Sequence, residues 1–359
     1  MKSFVLAAAL SGLAAAQQSL DAAAVAAAPY SGATQAPVGA ANQGNVGFQP
    51  NPSSVSAGVQ PTSAPQGSSK MMKRAGGDCS KQPAGTAPNT YPDTPQAFQA
   101  NPYFHGQANS YPQIIPSGNT FYYEKFRDLN GSTQQNSYLT YYILNNYDVP
   151  ACAAKCNSVD LCTAFNIYVE RDPSLDAGPA CPNPPSVSNY KCALWGSSIS
   201  RETATNTGQY RDQFQVVITA SNGYDKTNWT IPSPVDSFTQ AANLSGKAIT
   251  LAKNSYYLGA EYFPGPYDPQ LCGYYATAQT AANRADAKAK GLSTYQPCNL
   301  FNAYTVYKNK AAQGTYCSLF NKVVGAEAAG AAGTYYNGDL YEVGVSYTYK
   351  LTQQDAGTL

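Results

Sequence analysis

Nine cysteines, one histidine, scattered carboxylates and repeated tyrosine doublets are the residues from which this chain could build chemistry. The cysteines stand at 79, 152, 156, 162, 181, 192, 272, 298 and 317. In an exported chain such a set forms disulfides. Zinc is the rival, but Cys152, Cys156 and Cys162 lack the paired Cys-x2-Cys ends of a zinc site, and no histidine is near. The odd count leaves one thiol unpaired, or paired to another molecule. A lone histidine, His105, argues against a histidine-cluster metal site and a serine–histidine triad. No Gly-x-Ser-x-Gly elbow occurs either. His105 lies in a Pro- and Gln-rich stretch and reads as a solvated loop residue. Neither metal nor cofactor is expected.

Glycoside hydrolysis needs only two carboxylates, about 5 to 10 Å apart. Glu170 and Asp172, flanking Arg171, are the best pair. The stronger reading is that Arg171 pairs with a neighbouring acid and orients its loop, because scattered acids produce such clusters anyway. Binding is better supported. Sugars present apolar C–H faces beside hydroxyls, and tyrosine offers a flat apolar body with a polar tip. Five doublets occur: Tyr122-Tyr123, Tyr141-Tyr142, Tyr256-Tyr257, Tyr274-Tyr275 and Tyr335-Tyr336. Neighbouring side chains of a strand face opposite ways, so one of each strand doublet should point outward. Tyr123, Tyr142, Tyr257, Tyr275 and Tyr336 are the candidate ligand contacts. A role as core and edge cover of small sheets accounts for most of the tyrosines, but less readily for doublets.

The chain has 359 residues, a net charge of +1 and only 12% charged residues, about half the usual share. That balance argues against nucleic acid, which calls for a basic face. Lys2, the apolar run Phe4 to Leu10 and Ala14-Ala15-Ala16 read as a signal peptide over 1–16. No later stretch reaches membrane-spanning length, and the carboxyl end lacks the tail of a lipid-anchor signal. A released protein is expected, extracellular or wall-associated. Residues 17–74 are rich in Ala, Gln, Pro, Ser and Gly, a composition that should not hold a fold. They end at Lys73-Arg74, a dibasic site for a proprotein convertase during export, so the mature chain should start at Ala75 and bind without this pro-segment. Amino-terminal sequencing of secreted material would show it. Asn130, Asn228 and Asn243 begin sequons open to N-glycosylation.

The elements that must position these groups come in two sets. Tyr147-Asp148, Cys152, the block Cys162 to Tyr168 and the block Cys192 to Trp195 reappear as Tyr267-Asp268, Cys272, Cys298 to Tyr304 and Cys317 to Phe320. Three matching blocks in one order indicate a duplication. In each half, strands with alternating aromatics lead: Phe121 to Phe126 and Tyr138 to Leu144, then Tyr256 to Phe263. A helix follows each Tyr-Asp, over Val149 to Asn157 and over Gln270 to Lys290, with Asp148 and Asp268 as caps. The Phe-Asn-x-Tyr blocks are strands, and Phe214 to Ala220 and Leu340 to Tyr349 close the halves. Pro-rich loops fill Asp172 to Ser188. Residues 75–117 read as a Pro-rich approach, 118–224 as the first module, 225–234 within a linker starting near Ser221, 235–352 as the second module, and 353–359 as a tail.

The order Cys152-x3-Cys156, Cys162-x2-Phe165-Asn166, Cys192-x-Leu194 resembles the PAN/apple module, an α+β fold with a helix stapled to an antiparallel sheet. The stretch from Cys79 to Tyr224 also resembles secreted ascomycete proteins with tandem apple-like modules, through Phe165 to Ser174 and Asn206 to Arg211. The resemblance implies Cys152–Cys192 and Cys156–Cys162, and in the second half Cys272–Cys317 only. There Ala276 stands where the partner of Cys298 should be. Cys79 and Cys181 then pair, or one of them pairs with Cys298. A buried thiol is preferred for Cys298, because Phe301 and Tyr304 mark an interior strand; a cross-half bridge and a covalent dimer are the alternatives. The expected function is non-catalytic recognition of cell-wall or host carbohydrate. A protein ligand, a glycan hydrolase using Glu170 and Asp172, and a wall component cross-linked through tyrosines or the odd cysteine are the other readings.

Overall fold

A computed structural model describes residues 20–30, 32–40, 55, 77–227, 234–250 and 256–359. The signal segment, Lys73-Arg74 and the sequon at Asn228 lie outside them. The fold is mixed α+β, with mostly antiparallel sheets and few helices. The helices are α1 (Ala22–Ala27), α2 (Pro95–Gln99), α3 (Pro102–Asn109), α4 (Val149–Asn157) and α5 (Pro269–Ala289). The first half supplies strands β1 (Ile114–Ser117), β2 (Thr120–Leu129), β3 (Tyr138–Leu144), β4 (Ala164–Pro173), β5 (Ser186–Trp195), β6 (Gly208–Arg211) and β7 (Phe214–Lys226). The second supplies β8 (Phe238–Asn243), β9 (Ala248–Ile249), β10 (Tyr257–Pro264), β11 (Leu300–Lys308), β12 (Ala311–Phe320), β13 (Ala329–Ala331), β14 (Gly333–Tyr336) and β15 (Asp339–Leu351).

The first sheet runs β1-β2-β7-β4-β5-β3, with β6 on β7, and the second β10-β12-β11-β15-β14, with β8 on β15. Aligned by the repeat, the strand path β3-β5-β4-β7-β2 matches β10-β12-β11-β15-β8. The repeated residues do the same work twice. Asp148 accepts from the Ala151 amide at 2.8 Å and Asp268 from the Gln270 amide at 2.9 Å, each satisfying a free first-turn donor. Asn166 accepts from the Thr133 amide and donates to Ser221 and to the Asn222 carbonyl. Asn302 accepts from the Ile249 amide and donates to Ser346 and to the Tyr347 carbonyl. Both asparagines are fully buried, so their bonds to a covering loop and a neighbouring strand are obligatory. Phe165 stacks on Tyr224 at 5.1 Å and Phe301 on Tyr349 at 5.0 Å.

Every position of β4 is buried, because the strand is central and both of its faces are covered. Phe165, Ile167 and Val169 face the side of α2, α3 and α4, in a core with Phe98, Phe104 and Cys152. Ala164 and Tyr168, four residues apart and so both on the opposite face, pack with Trp195, Tyr141 and Ala36. In the second half Phe301 and Ala303 face α5, while Tyr304 and Val306 meet Leu20, Ala22 and Val25 of the α1 segment.

Four expectations are overturned here. Residues 17–74 were expected to hold no fold, yet α1, capped by Asp21, and residues 32–40 pack on the helix-distal faces of the two sheets. Individually small residues suffice because each sheet face offers a ready aromatic surface. The approach segment contributes α2 and α3, whose Phe98 and Phe104 are core residues. The linker begins later than Ser221, since β7 runs to Lys226 against β2. Residues 353–359 return to the body, where Asp355 accepts from the Tyr295 hydroxyl and the Gly357 carbonyl from the Tyr295 amide. The two halves also touch. The Tyr267 amide donates to the Gly196 carbonyl and the Ala312 amide to Gln135, and a Cβ at Gly196 would meet Pro266 at 2.5 Å.

The disulfides are Cys79–Cys181, Cys152–Cys192, Cys156–Cys162 and Cys272–Cys317. Cys298 is a buried thiol whose pKa burial pushes up to about 12. Ala276 on α5 is fully buried in the same core as Cys298. One thiol per chain should therefore react with an alkylating reagent, and only after denaturation. Ala276→Cys should add a fifth disulfide with Cys298 and raise stability by about 2 kcal/mol, read as a higher melting temperature with no thiol left to titrate. A variant with two reactive thiols and no gain would show that the halves are not built alike at this position.

Candidate functional site

A cleft of about 530 Å³ opens beside the edge strand β10 of the second half. Five tyrosines line it: Tyr257 and Tyr262 of β10, Tyr316 of β12, and Tyr335 and Tyr336 of β14. Glu261 and Asp21 add carboxylates, and α1 forms one wall. Tyr316 is anchored by stacking on Tyr304 at 5.1 Å, and its hydroxyl accepts from the Asp21 amide at 3.4 Å. The half-buried carboxyl of Glu261 accepts from the Tyr262 amide, and burial raises its pKa. Tyr335 and Tyr336 come from the β14–β15 hairpin, whose tip carries Asn337 and Gly338 in left-handed backbone, the conformation of a tight two-residue turn. Tyr335 is 73% exposed and Tyr336 37%. The arrangement presents flat aromatic faces beside acceptors, which suits a ligand with apolar faces and hydroxyl groups.

Of the five expected ligand tyrosines, Tyr257 and Tyr336 meet in this cleft. Tyr123 is exposed on β2, in the first half. Tyr142 is half-buried under Lys155, 4.8 Å from its ring. Tyr275 is buried against Phe263, because its doublet sits on a helix, where the strand rule of opposite faces does not apply. Tyr257, too, is the inner member of its doublet, packed on Phe320, while Tyr256 is the more exposed. Sequence reasoning missed Tyr262, Tyr316 and Glu261, which are brought together by pairing of distant strands; Tyr335, within a named doublet, was passed over for its neighbour.

Glu170 and Asp172 lie on the helix-distal face of β4, both almost fully buried. Lys191 of β5, fully buried, is ion-paired with Glu170. Asn189 donates to Asp172 at 2.7 Å, and the Gly39 amide donates to both acids. Burial, then the neighbouring Asp172, lifts the Glu170 carboxyl well above the usual carboxylate range. Burial pulls Lys191 down, but the two acids outweigh it and hold it charged. Arg171 points the other way, to Asp93 at 2.7 Å and over the Phe214 ring. The acids are thus packed as an internal charge cluster rather than laid along an open groove.

His105 is not a solvated loop residue. It lies on α3, half-buried between Asp128 at 2.6 Å and the Gln99 carbonyl at 2.8 Å, and its imidazole pKa is raised overall because those bonds outweigh burial. A second cleft of about 500 Å³ lies between the halves, lined in part by Lys125, Ser200, Lys310, Glu342 and Asn243. Asn243 is exposed there, and its side-chain amide donates to the Tyr347 hydroxyl at 3.2 Å. Asn130 is also exposed. Among the described residues no group of three or more acids, histidines and cysteines could hold a metal ion, and no helix is long and apolar enough to cross a membrane. Compared with protein-family models, curated proteins and solved structures, the chain matches none.

Proposed function

We propose that this is an extracellular, processed and N-glycosylated recognition protein of two PAN/apple-like modules that binds carbohydrate of a cell wall or host in the tyrosine cleft of its second half. One observation carries the reading: five tyrosines and Glu261, drawn from β10, β12 and β14 and all downstream of Lys73-Arg74, converge on one open cleft. Each half supports the apple-like assignment through a helix stapled to the central antiparallel sheet by Cys152–Cys192 or Cys272–Cys317. The four disulfides fit an oxidising compartment.

The test is binding of the full chain to a panel of immobilised wall and host glycans. Tyr335→Ala and Tyr336→Ala should each weaken retention about tenfold, the loss expected for an aromatic anchor. Both side chains are exposed, so the fold should be unchanged by circular dichroism. Wild-type protein that retains no glycan, or variants that bind as well as wild type, would overturn the reading. Retention of an extracellular protein instead would favour the protein-ligand alternative.

A further inference from the structure

The face of the first sheet that carries Glu170, Asp172 and Lys191 is closed by residues 34–40. The way it is closed has the anatomy of a peptide complex. The Gly39 amide donates to Asp172 at 2.9 Å and to Glu170 at 3.2 Å. The Lys191 ammonium donates to the Pro37 carbonyl at 2.7 Å, the Tyr141 hydroxyl to the Gly39 carbonyl at 3.3 Å, and the Gln135 amide to the Thr34 carbonyl at 2.9 Å. Every one of these bonds is to the backbone of the segment. Two side chains are read besides. Ala36, 2% exposed, fills a pocket among Phe126, Tyr168 and Trp195, and Val38 packs on Phe214 and Val216. Gly39 has a φ of +82°, with open space around it, so it is backbone conformation rather than room that favours glycine there.

Bonds to the backbone for affinity and small pockets for side chains are how peptide segments are bound. The charges support the same reading. A buried ion pair is a poor way to stabilise a core, since apolar packing does as well or better. Here Lys191 and both acids spend part of their hydrogen-bonding capacity on a separate segment, as a receptor would. We propose that this face is a binding site for peptide segments with a small residue, two further residues and a glycine, and that residues 34–39 are its resident, exchangeable occupant. The segment lies amino-terminal to Lys73-Arg74, so a cut there frees it from the body while its bonds remain. The equivalent face of the second half takes α1 of the same segment. The proposal stands independently of carbohydrate binding.

The experiment cuts the folded full chain at Lys73-Arg74 with a dibasic-specific convertase, or at a specific protease site inserted after Gly67. A labelled synthetic peptide of residues 20–40 is then added. The freed segment should co-elute with the body on size exclusion and exchange for excess labelled peptide. Peptides carrying Ala36→Lys, or N-methylglycine in place of Gly39, should compete at least about tenfold more weakly, because one buries a charge and the other removes a donor to two acids. Both changes are in the peptide, so the body is the same protein throughout. A segment that separates at once, fails to exchange, or exchanges equally well for the altered peptides would overturn the proposal.

Discussion

Lys191→Met should destabilise the chain by about 3 to 5 kcal/mol, the cost of leaving buried charge without its counter-ion. The ammonium is fully buried, ion-paired with Glu170 and bonded to the Pro37 carbonyl. Without it, two acids on adjacent same-face positions of β4 keep the Asn189 side chain and the Gly39 amide as donors. Loss should be read as a lower urea midpoint at neutral pH. Its pH dependence has a definite sign. A carboxyl whose folded pKa is raised above its unfolded value penalises folding when ionised, and the penalty fades as pH falls through the folded pKa. Glu170 is already raised by burial and by Asp172, and Lys191→Met should raise it further. The variant should therefore recover relative to wild type on acidification. Glu170→Gln added to Lys191→Met should recover stability at neutral pH as well, by removing the stranded charge. A single variant within about 1 kcal/mol of wild type, with no pH dependence of the difference, would mean that the cluster is open to water.

Cys272→Ser should have a comparable effect, confined to the second half. Cys272–Cys317 spans 45 residues and is the only disulfide tying α5 to its sheet, whereas α4 is held by Cys152–Cys192 and by Cys156–Cys162 over six residues. The loop-entropy treatment assigns about 4 kcal/mol to the long loop and about 2 to the short one. Amide hydrogen exchange of α5 should accelerate strongly in Cys272→Ser, while α4 should change much less in Cys156→Ser. The comparison is internal to one molecule, so solvent conditions cancel. Greater loosening of α4 in Cys156→Ser than of α5 in Cys272→Ser would show that helix packing, not the staple, holds the second half.

Much of the local structure was legible from residue order. Tyrosine-rich alternation marks strands such as β3, and a Tyr-Asp-Pro entry with an alanine-rich run marks α5, because cap, proline and propensity act within a turn of chain. The matching blocks around Phe165-Asn166 and Phe301-Asn302 mark β4 and β11, since an asparagine inside an apolar strand has to answer to fixed partners on both sides. The same cysteine pairs that the module resemblance implies stand at bonding distance. Spacing within the chain carries all of this information.

What only the tertiary structure decided is which faces are covered and by what. Composition marks residues 17–74 as unable to build a core of their own. Leu20, Val25 and Ala36 are buried because two sheets already present aromatic faces for them. Once a face exists, a short segment adds contacts to it without needing a core of its own. The tyrosine cleft has the same origin. Tyr262, Tyr316 and Tyr335 are neighbours only through the pairing of β10 with β12 and the return of β14 along β15. Glu170 and Asp172 show the limit most plainly. Their two-residue spacing places them on one face of a strand, which the sequence determines. That the face is sealed by Lys191 and a backbone from another part of the chain follows from long-range packing, which no local pattern encodes.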